Sequence, residues 1–186
     1  VRSSAASYVY KRQKYENVRV TIPRTVVVAT DYFDAFIRNN GLEYVLTTEM
    51  TDEEILSEFV SSTLPYKLRE ALKAYVRTVS GPLAVRSSSK LEDSHYQPFA
   101  GIYSTYMIPY TEGNEDRQLR LLQKAIKSVY ASTYFAASKA YVQSSQNLIA
   151  EEKMAVVIQE VCGTEQDGLF FPTLSGVARS INYYPI

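Results

Sequence analysis

The sequence predicts an α+β domain. Three observations carry that prediction. Runs rich in β-branched residues, such as VRVTIPRTVVVAT (18–30) and KMAVVIQEV (153–161), have the composition of strands. Between them lie segments with helical apolar periodicity. Turn signals near the end of the chain suggest strands that return as hairpins, which favours α+β over a doubly wound sheet.

The elements follow in order. Residues 18–30 read as one strand, or as two short ones broken at Pro23. Thr30 or Asp31 is placed to cap a helix through Asn39, with Gly41 as its stop. TDEE (51–54) is a capping box, and Ile55, Leu56, Phe59 and Val60 then give one apolar face. Pro65 suits the first turn of the next helix. Leu68, Ala71, Leu72, Tyr75, Val76 and Val79 form its stripe, and Ser80-Gly81 ends it. PLAVR (82–86) reads as a short buried strand, and residues 87–101 as a loop rich in serine and charge. IYSTYMIPY (102–110) returns as a strand. One long helical segment is expected from Glu115 to about Gln143, with Leu119, Leu122, Ala125, Ile126, Val129 and Tyr130 on its core face. KMAVVIQEV is the strongest strand signal. Gly163 to Gly168 reads as a polar turn, and 169–184 as a final hairpin or bent strand broken at Pro172 and Gly176.

Composition narrows the function classes. The chain has 186 residues, of which 46% are hydrophobic and 22% charged, as in ordinary globular proteins. Twenty basic and twenty acidic residues cancel, so no global field favours nucleic acid or an anionic membrane. The single cysteine, Cys162, allows neither an internal disulfide nor a thiolate metal cluster. No apolar run reaches the roughly 20 residues that span a bilayer, and no signal-peptide core is present, so a cytoplasmic location is expected. Sixteen tyrosines without a tryptophan suggest half-wet packing positions. Residues 1–13 lack any sustained period and read as a non-native or disordered terminus. Residues 14–186 read as part of one domain: an outer α+β part over about 18–80, and a part over about 81–186 that carries the candidate chemistry. With no initial methionine and an end inside a strand-like run, the chain reads as a fragment.

Arg86 is the first candidate for chemistry. An arginine ending a buried strand needs a carboxylate or an anionic ligand, and its fork suits phosphate oxygens. Ser87, Ser88 and Ser89 offer hydroxyls, Gly101 permits close backbone approach, and Thr105 adds another hydroxyl. That is a phosphate cradle. Alternatively, Arg86 pairs with Glu92 or Asp93 and holds its own loop. The residues alone leave both open. Similarly, Gln159 and Glu160 either place backbone groups against a ligand edge such as adenine, or belong to an edge strand emerging into solvent. His95, the sole histidine, reads as a surface loop residue. Cys162 reads as a buried, inert thiol. Lys11, Arg12 and Lys14 read as a solvated basic run.

GPLAVRSSSKLEDSHYQPFAGIYSTY (81–106) resembles the core motif of the nucleotide-binding domain of the phosphoenolpyruvate synthase and pyruvate phosphate dikinase family, the PEP/pyruvate-binding domain. Its pattern runs VAVRSSATAEDxxxxSFAGQxxT, and the strand, Arg86, the serines, Glu92-Asp93 and Phe99-Ala100-Gly101 keep that order. KMAVVIQEV with SGVARS is similar to MAVVVQxMV and SGVxFT. TIPRTVVVATDYFDAFIRNNGL is similar to IPVPPGFVITTDAYxxFLxxNGL. The resemblance covers residues 18–182.

It implies an ATP-grasp-like fold, here incomplete, with ATP held between two lobes. Arg86 would meet the ATP phosphates, with Ser87, Gly101 and Thr105 in the phosphate loop. Gln159 would contact the nucleotide, and Glu160 and Val161 would offer backbone to adenine. The larger protein would use ATP to phosphorylate a histidine on a separate domain and pass the phosphate to pyruvate, a glucan, an antibiotic hydroxyl or another acceptor. Two features depart from the family. Lys90 stands where the family has threonine, and Arg179-Ser180 stands for Phe-Thr. The glycine-rich lysine motif would lie before residue 18. The Mg2+ ligands and the phosphohistidine and acceptor domains would lie beyond residue 186. This chain alone is therefore expected to hold no catalytic residue and no metal site, and to be inactive. A different class remains: a nucleotide-sensing module or pseudoenzyme that keeps the ATP lobe without the chemistry.

Overall fold

A computed structural model of the chain describes residues 21–89, 103–144 and 153–176. Four strands form one sheet in the order β1-β4-β2-β3: β1 (Thr25–Val28), β2 (Leu83–Ser89), β3 (Tyr106–Ile108) and β4 (Met154–Glu160). All three pairings are antiparallel. The sheet shares the domain with five helices: α1 (Thr30–Asn40), α2 (Asp52–Ser61), α3 (Tyr66–Val76), α4 (Glu115–Ser132) and α5 (Ala136–Ser144). A two-stranded hairpin, β5 (Thr164–Gln166) and β6 (Leu169–Phe171), stands apart from that sheet. The fold class is therefore mixed α+β. Among the described residues no helix is long and apolar enough to cross a membrane.

The strand alternation decides which face is covered. Leu83 and Val85 of β2, Met154, Val156 and Ile158 of β4 and Val28 of β1 are buried. They face α1 and α4, which pack directly on the sheet, while α2 and α3 pack on α4. Phe33, Phe36, Phe59, Tyr130 and Tyr134 meet in one aromatic cluster, with Phe33 and Tyr130 edge-to-face at 5.1 Å between centroids. Tyr130 is fully buried and its hydroxyl has no partner among the described residues. Half-wet packing thus does not describe this tyrosine.

Local chemistry explains the helix ends. The Thr51 hydroxyl accepts from the Glu54 amide at 3.3 Å, and Glu54 Oε2 accepts from the Thr51 amide at 2.8 Å, completing the capping box. Gly41 ends α1 at φ 62°, where its amide donates to the Arg38 and Ile37 carbonyls. The N-cap of α1 is Ala29, with no side-chain cap, so neither Thr30 nor Asp31 caps it; Thr30 is the first helical residue. Pro65 is the N-cap of α3 rather than its first helical residue. Along α3, Leu68, Leu72 and Val76 are buried and Ala71 is exposed, a narrower stripe than the spacing predicts.

Four other expectations change. Among the described residues of the first segment, strand structure begins after Pro23, and Leu42–Leu46 adds an unforeseen 3-10 turn. The serines after Arg86 are strand, because β4 pairs with β2 through Ser89 opposite Met154. The long helical segment is two helices. Between α4 and α5 the Ser132 carbonyl accepts from the Ser138 hydroxyl, and the Ala136 amide donates to Asp52 Oδ1 at 2.8 Å. Residues 177–184 of the expected final hairpin or bent strand lie outside the described residues, while a hairpin forms across Gly163 to Gly168, where a polar turn is expected. Its turn is Asp167-Gly168, with φ of 51° and 77°, the geometry that best matches strand twist in two-residue hairpins.

Candidate functional site

The sheet face away from the helices carries the candidate site. In antiparallel pairs, directly opposed residues share a face. Thr25 opposes Gln159, and Gln159 opposes Ala84, which opposes Met107. One row along, Val27 opposes Val157, and Val157 opposes Arg86. Continuing the β2–β3 register by one residue sets Thr105 opposite Arg86. Arg86, Gln159 and Thr105 therefore lie on one face, with Arg86 and Gln159 as diagonal neighbours about 7–8 Å apart. That face is open: Val27 is 54% and Met107 62% exposed.

Arg86 sits in mid-strand on an inner strand, not at the end of a buried one, and its side chain is exposed. No described residue pairs with it, so its guanidinium is presented across the open face. Gln159 is half-buried, and its Nε2 donates to Thr25 Oγ1 at 3.2 Å, which fixes the amide orientation. β4 is an inner strand, so an edge strand emerging into solvent is ruled out.

A cleft of ≈ 470 Å³ adjoins this face where β4 leaves the sheet. Met107, Pro82, Val161, Leu169 and Phe170 give it apolar walls, and Glu165 adds one charge. Met107 belongs both to the cleft and to the open face. From Met107 to Thr105 is two residues of strand, and from Thr105 to Arg86 one strand spacing, so the backbones of Met107 at the cleft wall and of Arg86 are about 8 Å apart. An apolar slot with a cation at that distance suits a flat base at one end and an anionic group at the other.

Other expected site residues lie elsewhere. Ser87 is on the helix-facing side, opposite Val156, and is not brought together with Arg86. The Glu160 carboxylate faces the same side, where Arg24 Nε lies 3.7 Å from Oε1. Arg24 Nη1 also donates to the Thr78 carbonyl at 2.6 Å, so this arginine ties the entry to β1 to the exit of α3. Burial and the Glu160 charge raise the Tyr75 phenol above its usual pKa. The amides of Glu160 and Val161, expected to be offered to adenine, already donate to the carbonyls of Arg24 at 3.0 Å and Pro82 at 2.9 Å. Val161 still lines the cleft. Cys162 is exposed rather than buried, because the strand ends at Glu160 and the chain turns outward. Gly101, Lys90, Glu92, Asp93, His95 and Arg179 lie outside the described residues.

Sequence reasoning missed Met107 and Phe170 as cleft walls. The signal for Phe170 was present in Asp167-Gly168, a hairpin turn that brings residue 170 back toward the end of β4. A second cleft, of ≈ 380 Å³, lies at the N-terminus of α4 beside Arg77, Asn114 and Glu115, and holds none of the expected site residues. Among the described residues no group of three or more His, Cys, Asp or Glu could hold a metal ion.

Comparison with known proteins identifies the family. Residues 9–185 match the family described as "Pyruvate phosphate dikinase, AMP/ATP-binding domain". The match begins inside the segment 1–13 that the sequence sets aside. The chain is 31% identical over 157 residues to "Uncharacterized phosphotransferase YvkC" of Bacillus subtilis, covering 81% of this chain and 17% of that protein. It is 29% identical over 174 residues to the phosphoenolpyruvate synthase of Aeropyrum pernix, covering 82% of this chain and 20% of that one. The chain thus spans about a fifth of the length of the curated relatives it matches. With the motifs around Arg86 and Gln159 and the family match over nearly its whole length, the chain belongs to the AMP/ATP-binding domain family of pyruvate phosphate dikinase and phosphoenolpyruvate synthase.

Proposed function

We propose that this chain is the ATP-holding part of an ATP-grasp-like lobe in a dikinase-type phosphotransferase. The adenine enters the apolar cleft beside Met107 and Val161, Gln159 contacts the nucleotide, and the phosphates run toward Thr105 and Arg86. In the full-length protein, ATP would phosphorylate a histidine on a separate domain, and the phosphate would pass to pyruvate or another acceptor. Phosphoryl transfer also needs charge neutralisation by Mg2+. On this reading the metal ligands belong to other parts of the protein, and this chain alone binds without transferring.

The observation that carries the reading is the pairing register. It sets an arginine that has no partner among the described residues and the Gln159 amide on one open face, next to a cleft of nucleoside size. The test is Arg86→Ala in the full-length protein, with ATP affinity read by calorimetry. Loss of a charge-assisted phosphate contact is expected to cost about 1.5–3 kcal/mol. Unchanged affinity in a folded variant removes Arg86 from the phosphates. Trapping of phosphohistidine from labelled ATP separates the transferase from a module that only senses nucleotide.

A further inference from the structure

The β5–β6 hairpin exposes more apolar surface than a structural turn requires. Leu169 is 66%, Phe170 39% and Phe171 41% exposed. An isolated two-stranded hairpin is marginal in water, and this one is not hydrogen-bonded into the main sheet. Something else must fix its position. Gly163, two residues past the last lining residue of β4's exit, supplies part of the answer. A Cβ built there would come within 2.8 Å of the Phe171 carbonyl carbon and 2.9 Å of Phe170 Cε1. The contact to Phe171 is with backbone, so any side chain at residue 163 forces β6 away from the exit of β4. That displacement would carry Phe170 with it.

Phe170 and Leu169 line one side of the ≈ 470 Å³ cleft, and Met107 lines it from the sheet. A polarizable thioether and an aromatic ring bordering one slot favour a flat π-system between them. We propose that the hairpin is the base-selecting wall of this cleft: Phe170 packs on a purine ring, and Gly163 is the positioning residue that holds Phe170 there. This rests on the nucleotide reading given above and adds to it the element that tells a purine from a pyrimidine. A larger ring overlaps Phe170 more fully, so discrimination comes from stacked area rather than from hydrogen bonds to the base edge.

The test measures binding of ATP, UTP and inorganic tripolyphosphate to the full-length protein by calorimetry. The wild type is expected to bind ATP more tightly than UTP. Phe170→Ala is expected to weaken ATP roughly 5- to 150-fold, the range for one base–aromatic stack, and to narrow the ATP-to-UTP gap. Tripolyphosphate, which has no base, should bind as before, and Phe170→Trp should restore ATP. Gly163→Ala should copy Phe170→Ala in all three ligands without loss of cooperative melting. If Phe170→Ala binds ATP like the wild type while Arg86→Ala does not, the hairpin assignment falls and the nucleotide reading stands. A loss that extends equally to tripolyphosphate also overturns it, since a base wall cannot act on a ligand without a base. A wild type that binds neither ATP nor tripolyphosphate overturns both.

Discussion

Asn40 performs the work of a peptide group between two segments, and its removal gives a sharp test of how α1 is tied to the start of α3. Its Nδ2 donates to the Phe36 carbonyl at 2.8 Å and to the Thr63 carbonyl at 3.0 Å, while its Oδ1 accepts from the Thr63 amide at 3.0 Å. Asn40→Ala deletes all three bonds. Each is worth about 0.5–1.5 kcal/mol net. Thr63 is exposed, so its freed groups recover water and the desolvation penalty stays small. The expected loss is about 2 kcal/mol, or roughly 4–8 °C in Tm for a chain of this size. Asn40→Asp keeps the acceptor but turns two donations into carboxylate–carbonyl repulsions. It should be at least as damaging as alanine at pH 7, and should partly recover below the carboxylate pKa, when a proton can again be donated. Urea unfolding followed by circular dichroism measures both. An aspartate variant as stable as the wild type at pH 7, or an alanine loss below about 0.5 kcal/mol, would refute the peptide-like role.

Three further outcomes are expected. The Thr51 amide and hydroxyl hold the Glu54 carboxyl below its ordinary 4.5, so its contribution is fully present above that pH and is lost as pH falls through the depressed value. Glu54→Gln should flatten that part of the stability–pH curve. Gly41→Ala meets no steric contact but places a side chain at φ 62°, and should cost about 1 kcal/mol in chemical denaturation. Tyr130→Phe removes a buried hydroxyl that has no partner among the described residues, so it should be neutral or stabilising by up to about 1 kcal/mol. A clear destabilisation would mean that this hydroxyl is satisfied.

Local signals were legible where a few neighbouring residues decide the outcome. The capping box at Thr51–Glu54 and the Gly41 stop form as their side chains dictate. Strand β4 (Met154–Glu160) and the apolar side of α4 follow from composition and period. The sequence failed where a distant partner decides. Ser87–Ser89 have poor strand chemistry, yet they continue β2 because β4 offers Val156, Ala155 and Met154 across the ladder. The break between α4 and α5 depends on Asp52, a residue 84 positions away, which takes the first amide of α5. For the site, the letters around Arg86 pointed to phosphate, but which serine shares its face is a matter of strand parity. Arg86 in mid-strand puts Ser87 on the opposite side. The apolar cleft was legible only in part: Asp167-Gly168 signals the turn that returns Phe170, but Met107 lines the same cleft only through the register of β3.

The strand order β1-β4-β2-β3 also sets a timetable. Thr25 and its partner Gln159 are separated by 134 residues. At ribosomal rates of about 5–20 residues per second, β1 waits roughly 7–27 s before its partner exists. During that interval Thr25–Val28, an uncharged run of β-formers, has no strand to pair with, while the helices of residues 30–76 can already form locally. β2 gains its neighbour β3 much sooner and waits about half as long for β4. Among the described strands of the sheet, the one that carries Gln159 is therefore the last to be made and the one that joins β1 to the β2–β3 pair, so the face that holds Arg86 and Gln159 is assembled in that same step.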